Sequence, residues 1–396
     1  MPSYLSPGIY VEEQAKGPRP IEGVGTSVAG FVGTAPNSDA RRGEAVAVNN
    51  WSQFKRIFVR DKDGSTDLAN AVQGFFLNGG SRCYVANIAQ GSALSGKGEG
   101  LDALDAIDEI AIIAAPGRTD VASYRALLDS AESLKDRIAI LDTPPTVGDV
   151  EALTRVASVG SGSDDEAKSP KGQAAAAGSP ESDRGYGARY FPSLRISDAI
   201  EPDKIVTAPP SGHIAGLYAR TDAERGVHKA PANLAIRGAL GLTQIVTRAE
   251  QDVLNPVGVN VIRFFTREGV RVWGARTNSS DPAWKYVNVR RLFMMIEESI
   301  AIGTRWVVFE PNDRPLWKDV TRDISAFLRL LWSQGALAGS RPEDAFYVIC
   351  NEETNPPEVI DAGQLIIEIG IAPVKPAEFV IIRIGQSQAG ATVETV

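Results

Sequence analysis

This chain of 396 residues carries little reactive chemistry. Its two cysteines, Cys83 and Cys350, cannot build a disulfide framework, and two histidines, His213 and His228, leave few routes to a histidine-rich metal site. Both cysteines sit in apolar, strand-like stretches, RCYVANIA and FYVICN, and read as buried, inert thiols. No run approaches the roughly 18 apolar residues that a membrane helix needs. The opening MPSYLSPGIYVEE lacks the basic start and apolar stretch of a secretory leader. Acidic residues outnumber basic ones, 49 to 41, for a net charge of −8, which argues against a nucleic-acid partner. The expectation is a soluble protein without membrane insertion, placed in the cytoplasm. What the chain does have is 43% hydrophobic residues, enough for two or three real cores, and 38 glycines and 24 prolines, which make it rich in turns.

The first 20 residues match no core element. Gly8, Ile9, Tyr10, Val11, Glu12 and Glu13 form a short strand-like piece bracketed by Pro7, Pro18 and Pro20, which favour extended chain. Such an arm could reach about 60 Å and pair with another sheet. From Ser27 the pattern alternates. SVAGFVGTA, RCYVANIA, EIAIIAAPG and RIAILDTPP read as strands. Helices are expected over Asp67–Leu77 (stopped by Asn78-Gly79-Gly80), around Ser123–Ser133 and around Val150–Val156. Strand, helix, strand implies crossovers and a largely parallel sheet. Residues 158–187 hold 6 Gly and 6 Ser, with Val159 and Tyr186 the sole large apolar residues, and read as a flexible surface insertion.

The last third changes character. VNVIRFFTREGVRVWGART predicts a hairpin turning at Arg267-Glu268-Gly269. Val289, Leu292, Phe293, Ile296 and Ile300 lie at helical spacing. Asp313 can cap a second helix with Pro315 in its first turn and Val320, Ile324, Phe327 and Leu331 on its apolar face. RWVVFEP, FYVIC, QLIIEIGI and EFVIIRIG read as strands. A polar tail, with β-prone Ala391, Thr392, Val393 and Glu394, mirrors the N-terminal arm.

Several segments look catalytic and fail on inspection. Gly91–Lys97 fits the first seven positions of a phosphate-binding loop, but Gly98 stands where a magnesium-binding Ser or Thr belongs, and the following GEGLDALDAIDEI brings carboxylates to the supposed phosphate. Asp102, Asp105, Asp108 and Glu109 alternate with Leu101, Leu104 and Ile107, the wet face of an amphipathic helix more than a cation site. Gly25-Thr26-Ser27-Val28-Ala29 and Ser211–Gly216 are faintly like the nucleophile and histidine segments of subtilisin-like proteases. The order along the chain is wrong, however, and Ser27 lies in a strand pattern. His228 has no second ligand at metal spacing. Arg290 with Arg291, or Arg314 with Lys318, could form a basic patch, but Glu297, Glu298, Asp319 and Asp323 dilute it toward salt-bridged protein contacts.

Longer stretches carry a resemblance. YLSPGIYVEE, GVGTSVAGFVGTAPNS, NGGSRCYVANI, PPSGHIAGLYARTDAERGVHKAPAN, the run NPVGVNVIRFF through MMIEESI, and PAEFVIIRIGQ together resemble the contractile tail sheath proteins of bacteriophages and extracellular contractile injection systems. The resemblance implies an α/β plus α+β fold: a subtilisin-like α/β domain without catalytic machinery, and a C-terminal α+β core domain with extended terminal β arms. The expected division is an arm over 1–20, an outer α/β domain over 21–250, an inner core domain over 251–385 and a second arm over 386–396. It also implies a structural subunit, not an enzyme, that needs no cofactor or metal. Its expected partners are further copies in stacked hexameric rings, an inner tube protein, and baseplate and terminator or cap proteins. Assembly is expected in the bacterial cytoplasm, into a phage tail or injection particle that contracts to drive the tube through a target envelope. A hydrolase built on the α/β domain is the alternative, and a nucleotide-dependent assembly factor a third class.

Overall fold

The computed structural model describes residues 20–60, 63–96, 98–155, 180–379 and 381. Its first half alternates as the apolar spacing predicts: β1 (Ala29–Gly33), β2 (Ala45–Val48), α1 (Trp51–Phe58), α2 (Asp67–Leu77), β3 (Cys83–Asn87), the small ribbon β4 (Ser95–Gly96) and β5 (Glu99–Gly100), α3 (Leu101–Asp105), β6 (Ile112–Ala114), α4 (Val121–Leu134) and β7 (Ile138–Asp142). There follow β8 (Gly187–Phe191), β9 (Leu194–Ser197), β10 (Ile205–Ala208), α5 (Ser211–Arg225), β11 (Ala239–Leu242), α6 (Arg248–Leu254), and the hairpin β12 (Val259–Phe265) and β13 (Gly269–Val272). The last stretch holds α7 (Val287–Gly303), α8 (Arg314–Ser333), α9 (Pro342–Ala345), β14 (Phe346–Ile349), α10 (Pro357–Asp361) and β15 (Glu368–Ile371).

Eight strands form one sheet in the order β13-β12-β8-β7-β6-β1-β3-β2, parallel from β12 through β3 and antiparallel at both edges. Strands β1, β3, β6, β7 and β8 are buried along their whole length, as expected for parallel strands covered on both faces. Neighbouring residues of a strand point to opposite faces. In β1, Phe31 meets Phe75 of α2 with ring centroids 5.5 Å apart. A side chain at Gly30 would instead strike Leu104 of α3. So α2 and α3 cover opposite faces. Helix α5 packs on α2 at unusually close range: a Cβ at Gly212 would lie 2.2 Å from the Ala71 carbonyl oxygen, and one at Gly216 2.3 Å from that of Phe75. Backbone meets backbone there, which only glycine allows.

A second core lies beside the sheet, built from Leu316, Val320, Ile324, Phe327 and Leu331 of α8 with Leu292, Met295 and Ile296 of α7. Val287 and Met294 of α7 belong to the first core, so this helix joins the two. Asp313 caps α8 through the Leu316 N–H at 3.0 Å, with Pro315 in the first turn, as the sequence predicts.

Several expectations change. The division expected at 250/251 falls inside the large sheet, because Val259, Asn260 and Val261 pair in parallel with Arg189, Tyr190 and Phe191. RWVVFEP is not a strand. Arg305–Val307 makes a 3-10 turn, and Val308 and Phe309 project into solvent, Phe309 completely, with no strand alongside to pair with among the described residues. Residues 150–154 form a 3-10 turn rather than an α-helix. The part of the 158–187 segment that is described, from Pro180 on, is packed: buried Ser182 donates to Glu132 Oε1 at 2.5 Å, and Tyr186 is buried. Cys83 is buried, but Cys350 follows β14 and is half-buried. Of EFVIIRIG, Phe379 and Ile381 are exposed and outside any strand.

Candidate functional site

The protease-like pieces are held apart. Asp142, at the C-terminal end of β7, accepts hydrogen bonds from the Ser211 N–H (2.9 Å), the Ser211 hydroxyl (2.7 Å) and the Gly117 N–H (3.1 Å). Helix α5 therefore starts at that edge of the sheet, with His213 in its first turn. Ser27 precedes β1, at the opposite edge, where the far end of α5 arrives. Nine residues of helix separate His213 from Asp222, about 14 Å. No acyl-transfer geometry results. Burial pushes the Asp142 carboxyl up to about 7, against the three donors.

His213 is fully buried against Gly74, and burial lowers its pKa to about 4. The unfolded imidazole takes a proton near 6.5. Between those values the unfolded state binds more protons, so this contribution to stability is present above pH 6.5 and is lost as pH falls toward 4. The loss amounts to about 3 kcal/mol. Urea unfolding of wild type and His213→Gln between pH 4 and 7 checks this: the difference between the two curves should shrink by that amount toward pH 4, and a flat difference refutes it.

The phosphate-loop candidate is already filled. Gly96 and Gly98 donate their N–H groups to Asp102 Oδ2, both at 3.1 Å, placing a carboxylate where a phosphate would sit. Helix α3 ends at Asp105, which accepts from Ser130 Oγ at 2.6 Å, while Glu109 pairs with Arg82 at 3.0 Å. These carboxylates serve neighbouring protein donors. No grouping able to hold a metal occurs among the described residues. His228 is half-buried, its pKa lowered by burial and by Arg225.

The charged residues that matter are buried and paired over long sequence distances. Arg290 and Arg291, read as a diluted surface patch, are each 1% exposed. Arg291 grips Asp222 with two bonds, 2.9 and 2.5 Å, and donates to the Thr26 carbonyl oxygen at 2.9 Å. The Thr26 hydroxyl donates to Asp222 at 2.6 Å. Burial works against the Arg291 charge, but the Asp222 carboxylate outweighs it and holds the pKa above the usual value. Arg290 lies 4.3 Å from the Trp284 ring centroid and 4.6 Å from that of Tyr186. A second fork joins Arg276 to Glu378 at 2.8 and 2.5 Å, with the Tyr286 hydroxyl at 3.3 Å from Glu378. Burial opposes ionisation of Glu378, but Arg276 outweighs it and keeps the carboxyl below its ordinary range. No motif in the sequence singles out Asp222, Glu378, Arg276 or Tyr286, although Asp222 lies within the segment PPSGHIAGLYARTDAERGVHKAPAN that carries part of the resemblance.

Strands β14 and β15 form a ribbon of two strands, paired only to each other among the described residues, so both outer edges are open. Its Phe346, Val348, Ile369 and Ile371 side lies on the second core, while Tyr347 is exposed. The candidate arm residues, Gly8, Ile9, Tyr10, Val11, Glu12 and Glu13 and, at the other end, Ala391, Thr392, Val393 and Glu394, lie outside the described residues.

A wound α/β sheet thus stands beside a helix pair carrying an edge-open ribbon, with the buried charged side chains satisfied in internal pairs. The family model described as phage tail sheath protein central domain matches residues 95–278, and that described as phage tail sheath C-terminal domain matches 279–387. The cryo-EM structure of the anti-feeding prophage helical sheath in its contracted state is 31% identical, covering 97% of this chain and 100% of that one, with a TM-score of 0.75. The sheath complex of the PVC extracellular contractile injection system, also contracted, is 30% identical over 98% of this chain and 99% of that one, with a TM-score of 0.76. A prophage major tail sheath protein of Pseudomonas aeruginosa strain UCBPP-PA14 is 33% identical over 177 residues, 43% of this chain and 44% of its own length. The match thus spans under half of that curated relative. The chain belongs to the contractile tail sheath protein family of phage tails and contractile injection systems.

Proposed function

We propose that this chain is the repeating subunit of a sheath that polymerises helically with six-fold symmetry around an inner tube, and that it shortens to drive the tube through a target envelope. The open-edged β14–β15 ribbon carries this reading. Packing on the second core stabilises the two strands, but their outer edges still present main-chain groups to which further strands can be added. Strands supplied by the terminal arms of neighbouring copies, Gly8–Glu13 of one and Ala391–Glu394 of another, would complete it by strand addition. Head-to-tail contacts of that kind do not close, and give an open helical filament. Contraction is then a switch between two packings of the same rigid subunit, with the energy stored at assembly and no nucleotide, cofactor or catalytic group.

In this reading the wound sheet, with the β12–β13 hairpin, forms the outer domain and keeps a subtilisin-like plan without its chemistry. The unit from α7 onward, joined by Ile21, is the inner domain. Helix α8 supports the tube as partner: Arg314, Lys318, Arg322 and Arg329 make an exposed basic stripe about 22 Å long on an acidic protein. Of these, Lys318 and Arg329 have no ion partner among the described residues, while Arg314 pairs with Glu352 and Arg322 with Asp319. Baseplate and cap proteins would bound the polymer, and assembly would take place in the bacterial cytoplasm. Electron microscopy of the purified full chain tests the reading. Hollow sleeves are expected, and reversing Lys318 and Arg329 to glutamate should release the tube while leaving sleeves intact. A persistent monomer sinks the proposal.

A further inference from the structure

Both ends of the described chain are tied to one helix. On the N-terminal side, the Val24 N–H donates to Ser299 Oγ at 3.0 Å and Thr26 is held by the Arg291–Asp222 fork. On the C-terminal side, Asn288 donates to the Val374 carbonyl oxygen at 3.1 Å, and Tyr286, the cap residue of α7, meets Glu378. Arg276, which forks onto Glu378, is itself fixed: its N–H donates to Asn260 Oδ1 at 2.7 Å and its guanidinium to the Asn255 carbonyl oxygen at 2.9 Å. Each end therefore carries one two-bond arginine–carboxylate fork, on an arginine 1% exposed at one end and 6% at the other. Such forks fix direction as well as distance.

We infer that these two forks are positioning clamps for the terminal segments, and that α7 is the strut through which force passes from the segment entering at residue 20 to the one leaving at residue 378. The inference rests on the reading that the terminal segments link neighbouring subunits. A tether transmits force only to the point where it is anchored. Here Arg291, Ser299 and Asn288 sit on a helix of 17 residues whose side chains are shared by the two cores, while Arg276 precedes that helix and is tied to Asn260 of β12. Pull between neighbours would then be shared between α7 and, through Arg276 and Asn260, strand β12 of the large sheet. The clamps also set the angle at which each segment leaves, and with it the placing of the next subunit.

The test uses the full-length chain and three variants: Glu378→Gln, Asp222→Asn, and the paired Arg276→Met with Glu378→Met, which keeps the site filled without a directional bond. Hydrogen exchange on the unassembled subunit reads the clamp, and cryo-EM of sleeves reads its consequence. For the two Glu378 variants, exchange over residues 373–378 should rise about tenfold while the large sheet stays protected. Sleeves should be lost or show altered twist and rise. Unchanged exchange, or faster exchange with wild-type twist and rise, overturns the clamps. Should one variant fail to fold, the paired methionine substitution still decides the matter, since isosteric apolar replacement of a buried ion pair is tolerated. A chain lacking its last eleven residues separates the two ideas: normal sleeves from it refute the linking segments themselves, whatever the clamp variants do.

Discussion

Removing residues 1–15, or the last ten or so, is expected to leave a folded subunit that forms no regular sleeves. Neither stretch falls in a core pattern, and the residues that build the two cores, with the hydrophobics packed against them, lie within 21–371. What the truncations remove is strand pairing between copies. A strand of about six residues adds several main-chain hydrogen bonds, each contributing about 1 kcal/mol net. Losing about 4 kcal/mol at each contact raises the dissociation constant roughly a thousandfold. Circular dichroism and thermal melts should match the full chain, while electron microscopy at the same concentration shows no sleeves. Normal sleeves from either truncation would end the strand-exchange reading.

Asp222→Ala should be among the most damaging single substitutions to the isolated subunit, costing about 3–5 kcal/mol. The carboxylate side chain is 8% exposed and its partner Arg291 1%. Removing it strands a buried guanidinium and unties the Thr26 hydroxyl. The companion change, Asp222→Leu with Arg291→Met, should recover most of the loss, because apolar side chains of similar volume can replace a buried pair at little cost. Urea unfolding of the single and paired variants decides it. A loss below about 1 kcal/mol for Asp222→Ala would place the pair among surface ion pairs and contradict the burial on which the clamp depends.

How far the sequence reached follows from the range of the interactions involved. Helix α2 ends as Asn78-Gly79-Gly80 predicts, α8 begins as Asp313 and Pro315 predict, and β12 and β13 turn at Arg267-Glu268-Gly269, because caps and turns are decided by residues a few positions apart. RWVVFEP misled for the complementary reason: its apolar content is that of a strand, but pairing needs a neighbour, and Val308 and Phe309 have none alongside in the described chain. The pairing of Val259–Val261 with Arg189–Phe191 across residue 250 had no local signal for the same reason: it is a long-range contact.

The sequence by itself determined that the first half winds strand and helix alternately, that the turns fall where they do, and that the chain is nearly empty of metal-binding and disulfide chemistry. Tertiary structure alone decided where the charges went. Arg291 meets Asp222 across 69 positions and Arg276 meets Glu378 across 102. Nothing in the spacing of either arginine announces its partner, because a buried charge is satisfied by whichever opposite charge the packing delivers. The same packing left the β14–β15 ribbon with two open edges and drew both ends of the described chain onto one helix.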